Sequence, residues 1–363
     1  MHAVCNGFVR ATASLWFSHK RRHRYSIGYC LPQIDRRLRQ LTPIWEMSRL
    51  PRSLADMKFW KASEWRDWLL LYSPVVLKDI LPKAYYDNWT KFVQIMHFCL
   101  QSSIPMDRMG YVKQAMEEFL EEYENLYGAE SMSYNAHLLL HMVDHVKEWG
   151  PLWGYSAYPF ESINGKLVRF VNGTRHAHLQ IVEKFCILQS LPQIVMASMP
   201  WPNELMIFVQ SLLKGYNLRK ASTKCADVIL YGKGRREAAC TAYKKATIGA
   251  FTYCVASVDK SRRKNSYVRT NGGVFGRVMD ITKMDTEACH TAKPTVHFRM
   301  KKFRVLNIFL PSIDQNSTGF ATVCETDEYV VVRASEVKKC IVLCCAERTI
   351  LTVIPEQHVL ESV

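Results

Sequence analysis

The stretch Tyr134 to Asn172, YNAHLLLHMVDHVKEWGPLWGYSAYPFESINGKLVRFVN, places three histidines, a chain break and a carboxylate at short intervals. His137, His141 and His145 recur every four residues and share one face of a helix, while Leu138, Leu139, Met142, Val143 and Val146 supply its apolar stripe. Gly150-Pro151 stops that helix. After an aromatic turn from Trp153 to Pro159, Phe160-Glu161 opens a second helix, whose dipole favours a carboxylate. Glu161 has two readings. It is a first-turn helix residue beside ordinary half-buried histidines, or it completes a metal site in which His137 and His141 share a zinc ion and Glu161 is the fourth ligand or the base. One helical face spreads three such histidines over two turns, so only adjacent pairs converge naturally on one ion.

Outward from this stretch the chain is helical on both sides. Ile34, Leu38 and Leu41, with Arg36, Arg37 and Arg39 outside, predict a short basic helix over 33–40. Ser63 reads as the N-cap of an apolar helix carrying Trp65, Trp68, Leu69, Leu71 and Tyr72, ended by Ser73-Pro74. A further helix runs from Tyr85 to about Leu100 with Trp89, Phe92, Val93, Met96 and Phe98 inward. From Asp107 to Tyr127 a spacing of three and four, with Gly128 as cap, marks the strongest helix, its glutamates facing solvent or a partner. Helical pattern resumes to Leu191 and breaks at Pro192, Pro200 and Pro202, with one more short helix from Leu205 to Leu213.

After Gly272-Gly273 the period changes from 3.6 to 2. Val274, Gly276-Arg277-Val278, Val296-His297-Phe298, Val305, Phe320 to Val323, Tyr329 to Val332, Ile341 to Leu343 and Ile350 to Ile354 predict five or six short strands. The expected class is α+β, with a mainly helical domain over 1–210, a basic linker over 211–271 and a small β-barrel-like module of SH3-like type over 272–363. Cys340, Cys344 and Cys345 lack a second ligand pair at zinc-finger spacing and read as strand cysteines. Gly232-Lys233-Gly234-Arg235 lacks the ending of a phosphate loop.

A chain of 363 residues with 48% hydrophobic content can bury a sizeable core. Twelve cysteines without a Cys-x-x-Cys pair, a polar N-terminal stretch and no apolar run of membrane-spanning length point to reduced thiols in cytosol or nucleus and to no membrane partner. With 48 Lys and Arg against 33 Asp and Glu, the net charge is +15. Basic zones over 1–60 and 211–305 flank an acidic middle over 106–162. Lys20, Arg21, Arg22 and Arg24 form one cluster and Arg262, Arg263 and Lys264 another. Clustered cations gain free energy by releasing the counterions condensed on a polyanion, so DNA is the partner this layout fits, through phosphates rather than bases. A generally basic, solvated surface is the bland reading.

The run NAHLLLHMVDHVKEWGPLWGYSAYPFESINGKL resembles the C-terminal region of transposases of the CACTA (EnSpm-like) class and of animal proteins derived from them. Arg49-Leu50-Pro51-Arg52-Ser53-Leu54 with Lys61-Ala62-Ser63-Glu64-Trp65-Arg66, and the later Glu336-Val337-Lys338-Lys339-Cys340-Ile341, are similar to the same proteins in the same order. The resemblance implies part of an RNase-H-like core with a helical insertion, nuclear location and DNA binding. In such DDE enzymes three carboxylates hold two divalent ions, Mg2+ or Mn2+, that activate water and stabilise the leaving oxygen. Of these carboxylates the resemblance carries over one, Glu161, as the terminal glutamate. A Met-His pair in that family follows a catalytic aspartate, and Met1-His2 opens this chain. The expectation is therefore a catalytically incomplete C-terminal fragment. The alternative is a chromatin or protein-interaction adaptor on a domesticated transposase scaffold, its β module binding a protein.

Overall fold

The computed structural model describes residues 2–18, 23–47, 49–197, 223–232, 234–237, 240–249, 251–259, 263–284, 295–311, 319–345 and 348–353, with a few single residues between them. It is α+β, with helices first and antiparallel sheets after. The helices are α1 (Arg10–Trp16), α2 (Leu31–Gln40), α3 (Ala62–Asp67), α4 (Ser73–Val76), α5 (Lys83–Cys99), α6 (Met109–Tyr127), α7 (Tyr134–Trp149), α8 (Tyr158–Val168) and α9 (Ala177–Ala197).

The expected inward faces are inward. Ile34, Leu38, Trp65, Trp68, Trp89, Phe92, Val93, Met96, Val112, Met116 and Phe119 are all buried. Some polar atoms inside this aromatic core are satisfied pairwise, while the indole nitrogens of Trp65 and Trp68 are buried without a hydrogen-bond partner. Trp16 Nε1 donates to Tyr127 Oη at 2.7 Å, Thr12 and Tyr123 share a 3.0 Å hydrogen bond, and Trp89 Nε1 donates to Ser73 Oγ at 2.8 Å. Gly128 and Gly150 end α6 and α7 with φ of 89° and 81°, a backbone that glycine adopts without a Cβ penalty.

Three local expectations are corrected. Ser63 is not an N-cap; it is buried inside α3, and Glu64 instead reaches back to the amide of Lys61 at 2.9 Å. Ser73-Pro74 does not end the helical run, because the chain widens into π-helical turns over Trp68–Tyr72 and Pro74 occupies the first turn of α4, where no amide is needed. Nor does Pro192 break α9, which continues to Ala197. Proline removes one helical hydrogen bond and need not end a helix. Most of the helix expected over 205–213 lies outside the described residues.

The strands are β1 (Thr223–Cys225), β2 (Val228–Tyr231), β3 (Arg235–Glu237), β4 (Cys240–Tyr243), β5 (Lys245–Ile248), β6 (Phe251–Cys254), β7 (Tyr267–Thr270), β8 (Phe275–Met284), β9 (Val296–Leu310), β10 (Phe320–Arg333), β11 (Val337–Cys345) and β12 (Arg348–Val353). β1, β2, β5 and β6 pair in that order; the larger sheet runs β3-β4-β8-β7-β11-β12-β10-β9, with β9 also paired to β8. Gly276 is paired on both sides, to Val268 and to Lys302. A Cβ there would lie 2.7 Å from the Lys301 carbonyl oxygen, so the position admits only glycine without a backbone shift.

The linker expected over 211–271 is corrected over its described part, which holds β1 to β7. These strands have three or four residues each, too few for alternation to register, and mix lysine, arginine and threonine with apolar positions. The division at residue 210 is corrected too. Met1–Ser156 and Thr223–Glu361 form one compact unit, and a second is built on Ala157–Ser222, which holds α8 and α9.

One apolar core runs through the first unit, joining the helices to Leu310, Phe320, Ile341 and Ile350 of the sheet. Around it Thr42 bridges Val342, its Oγ1 donating to that carbonyl at 3.1 Å. The Lys264 amide donates to the Pro43 carbonyl at 3.0 Å, the Trp45 amide to Asn265 Oδ1 at 3.3 Å, and the Thr252 amide to Glu46 Oε1 at 2.7 Å. Gln94 of α5 donates to the Pro311 carbonyl at 2.6 Å. The loop that receives Trp45 is held by buried Asp259, whose carboxylate accepts from the amides of Asn265 (3.0 Å) and Ser266 (2.9 Å) and from Ser266 Oγ (2.6 Å).

Asp259→Ala leaves two buried amides and a hydroxyl without their acceptor, so unfolding by urea should show a loss of about 2–4 kcal/mol. A loss below ~0.5 kcal/mol would mean that the loop does not depend on this carboxylate. His97 of α5 gives a pH dependence. Its Nε2 lies 2.8 Å from the Leu70 carbonyl and its ring packs edge-on to Phe320. Burial lowers its pKa, against a smaller upward pull from that backbone bond. In the unfolded chain histidine titrates near 6.5, so at lower pH the unfolded state binds the proton first. The contribution is present above about pH 6.5 and is lost as pH falls toward the depressed folded value. Thermal melts should therefore lose more Tm between neutral and mildly acidic pH for the wild type than for His97→Gln, and parallel curves would exclude His97 as the source.

Candidate functional site

α7 begins with Ser133, whose Oγ accepts from the Ala136 amide at 3.4 Å. It buries Ala136, Leu139, Met142, Val143 and Val146. That choice of face turns His137, His141 and His145 outward, and all three are exposed. His137 and His141 come together, with their Nε2 atoms 3.4 Å apart and ring centroids separated by 5.0 Å. On the same helix Asp144 is engaged by Lys113 of α6, whose Nζ lies 2.9 Å from both carboxylate oxygens. Each partner shifts the other through that bond: Asp144 is held below the usual carboxylate range and Lys113 above the usual amine range.

Glu161 is exposed in the first turn of α8, as its position after Pro159 predicts. It belongs to the second unit, whereas α7 belongs to the first. Among the described residues no group of three or more His, Cys, Asp or Glu side chains stands where it could hold a metal ion. Of the expected set, His137 and His141 are brought together on one helix, whereas Glu161 stands on an element of the other unit.

The basic segments divide. Lys20, Arg21, Arg22 and Arg262 lie outside the described residues, and Arg24 is exposed. Arg263 and Lys264 are half-buried; Arg263 Nη1 donates to the Trp45 carbonyl at 3.2 Å and Lys264 Nζ to the Asp259 carbonyl at 2.7 Å. Cations so engaged are poorly placed for phosphates. Exposed cations stand elsewhere on the β part, at Lys224, Arg235, Arg236, Lys244, Arg304, Arg333 and Lys338. The acidic helix is partly neutralised, Lys91 of α5 lying 2.6 Å from Glu122 and 3.8 Å from Glu118. Cys340 is buried on β11 with its thiol pushed up by burial, as a strand cysteine should be. The side chains of Cys344 and Cys345 lie outside the described residues.

Sequence reasoning passed over Lys339, a lysine 2% exposed. Burial lowers it to about 8, with Glu46 the largest opposing influence. Its Nζ donates to the carbonyls of Thr252 and Asn265 and lies 4.7 Å from the centre of the Tyr253 ring. Alternation would have found it: Val337, Lys339 and Ile341 share the inward side of β11 while Lys338 faces out.

No protein-family model, curated protein or solved structure is detectably similar to the chain. No helix among the described residues is long and apolar enough to cross a membrane.

Because Arg263 is tied to the Trp45 carbonyl, Arg263→Gln should lower the unfolding free energy by about 1–2 kcal/mol, whereas Arg24→Gln should stay within ~0.5 kcal/mol. Equal, negligible effects in urea denaturation would release Arg263 from this structural role.

Proposed function

We propose that the chain is a transposase-derived protein of CACTA-like origin that binds duplex DNA through its phosphate backbone, in the nucleus. The observation that carries the reading is the distribution of positive charge: a net +15, with exposed cations on both the helical and the β part, set against an acidic stretch that internal lysines partly neutralise. The ordered family-like runs around Arg49, Lys61, His137 and Glu336 supply the origin. The cycle of pairings from β8 through β7, β11, β12, β10 and β9 back to β8 supports a small closed barrel of SH3-like kind. Only the helical share of an RNase-H-like core would lie here, since residues 2–197 contribute no strand to either sheet among the described residues.

Catalysis by the family's two-ion chemistry needs carboxylates from several segments to hold Mg2+ or Mn2+ roughly 4 Å apart. The resemblance supplies Glu161 alone, so binding rather than strand transfer is the activity proposed. A protein-binding adaptor is the second reading, and one observation favours it. Val305, Leu306 and Ile308 on β9, and Tyr329 and Val331 on β10, are exposed apolar residues on paired strands.

Affinity for duplex DNA of any sequence should fall steeply with salt, the logarithmic slope being about 0.9 per neutralised phosphate. Replacing Lys20, Arg21, Arg22 and Arg24 together by glutamine should flatten that slope, and Arg263→Gln should leave it unchanged. Salt-independent binding, or none, would shift the weight to the adaptor.

A further inference from the structure

We propose that His137 and His141 form a two-histidine site for a borderline divalent transition ion, with zinc the physiological occupant. The inference does not rest on the DNA-binding proposal. Two zinc–imidazole bonds of 2.0–2.1 Å enclosing a tetrahedral angle span about 3.3 Å between their nitrogens. The two Nε2 atoms are 3.4 Å apart. The pair therefore already stands at the nitrogen spacing of a chelate, joined by an imidazole–imidazole hydrogen bond that the ion would replace as the rings reorient.

The helix enforces that spacing. Residues four apart stand one above the other on one face, and the buried Leu139, Met142 and Val143 fix which face that is. Both imidazoles are exposed, so an ion can arrive from solvent and neither ligand must be withdrawn from a core. Asp144, the nearest carboxylate along the helix, is held by Lys113 at 2.9 Å and is not recruited. His145 stands one turn beyond His141 and is left out, since no three-ligand group forms among the described residues.

Ligand chemistry selects the ion. Imidazole suits zinc, copper and nickel, whereas magnesium and calcium take oxygen ligands. Two protein ligands leave two tetrahedral positions for water or an incoming donor, so the ion is held exchangeably rather than as a closed structural centre. Once one imidazole binds, the second is already within reach, which makes the pair worth more than two separate histidines. Binding to the folded helix also stabilises it by mass action.

The test uses the full chain with Co2+ alone and, separately, Zn2+ alone. Titration with Co2+ should give one saturable visible d–d spectrum per chain without sulfur-to-cobalt charge transfer, which separates the pair from any of the twelve cysteines. Zn2+ should compete it away and raise Tm. His137→Gln and His141→Gln should each weaken binding at least tenfold and abolish the Tm rise, while His145→Gln changes neither. The unliganded melting temperature of each variant should match the wild type, because these side chains are exposed. No saturable spectrum, a sulfur charge-transfer band, or binding undiminished in the His137→Gln/His141→Gln double variant would each overturn the proposal.

Discussion

The structure depends on one short irregular segment, Thr42 to Glu46, laid between the helices and the sheets. Its backbone has no helix or strand of its own to satisfy it, and buried amides and carbonyls must find partners. Those partners lie more than two hundred residues away: Val342, Lys264, Asn265 and Arg263. Hydrogen bonds of this kind contribute about 1 kcal/mol each on balance. Burial of Leu310, Phe320, Ile341 and Ile350 in the helical core contributes roughly 1.5–3 kcal/mol per side chain, an upper range for partial coverage. The apolar contacts therefore supply most of the attraction, and the segment decides the register in which it is used. A helical domain and a β module joined by a free linker would have no such constraint.

Two buried charges serve that seam without pairing with each other by any direct hydrogen bond. Asp259 collects amides and a hydroxyl from residues 265 and 266, while Lys339 gives its hydrogens to the carbonyls of Thr252 and Asn265. Asn265 is common to both, and its side chain caps the Trp45 amide. Burying an ionised group is costly unless its hydrogen-bonding capacity is met, and backbone dipoles meet it here. The lysine shows that cost in its value of about 8. Apolar residues at the same positions would avoid it but would leave the loop's backbone unsatisfied, so the polar groups both specify the arrangement and hold the loop in place.

The helices were legible because they are long. α5 and α6 repeat apolar positions over 17 and 19 residues, enough for a period of 3.6 to stand out, and their ends carry glycine or proline punctuation. Helix α7 was legible for the same reason, but its histidines, expected as half-buried, are exposed because the apolar stripe alone takes the inward face. The seam was not legible, since a non-periodic pentapeptide carries no sign of a partner three hundred residues on. Neither were β1 to β6, at three or four residues each. The boundary inside the family-like run was hidden as well. Residues 134–172 read as one motif, yet the two compact units divide between Ser156 and Ala157.

That division bears on what chemistry this region can do. The histidines and Glu161 invite a single metal centre when read along the chain, but they are donors of different kinds. Carboxylate oxygens in a two-ion site suit magnesium or manganese, which keep much of their water and need several oxygens in octahedral array. Imidazole nitrogens suit zinc or copper and work in pairs at a tetrahedral bite. A helix face offering two imidazoles and a lysine-bound aspartate has the second chemistry and lacks the first. Any role of Glu161 in phosphoryl transfer must then be built with other carboxylates, because the imidazole pair of α7 offers nitrogen donors that two-ion magnesium chemistry does not use.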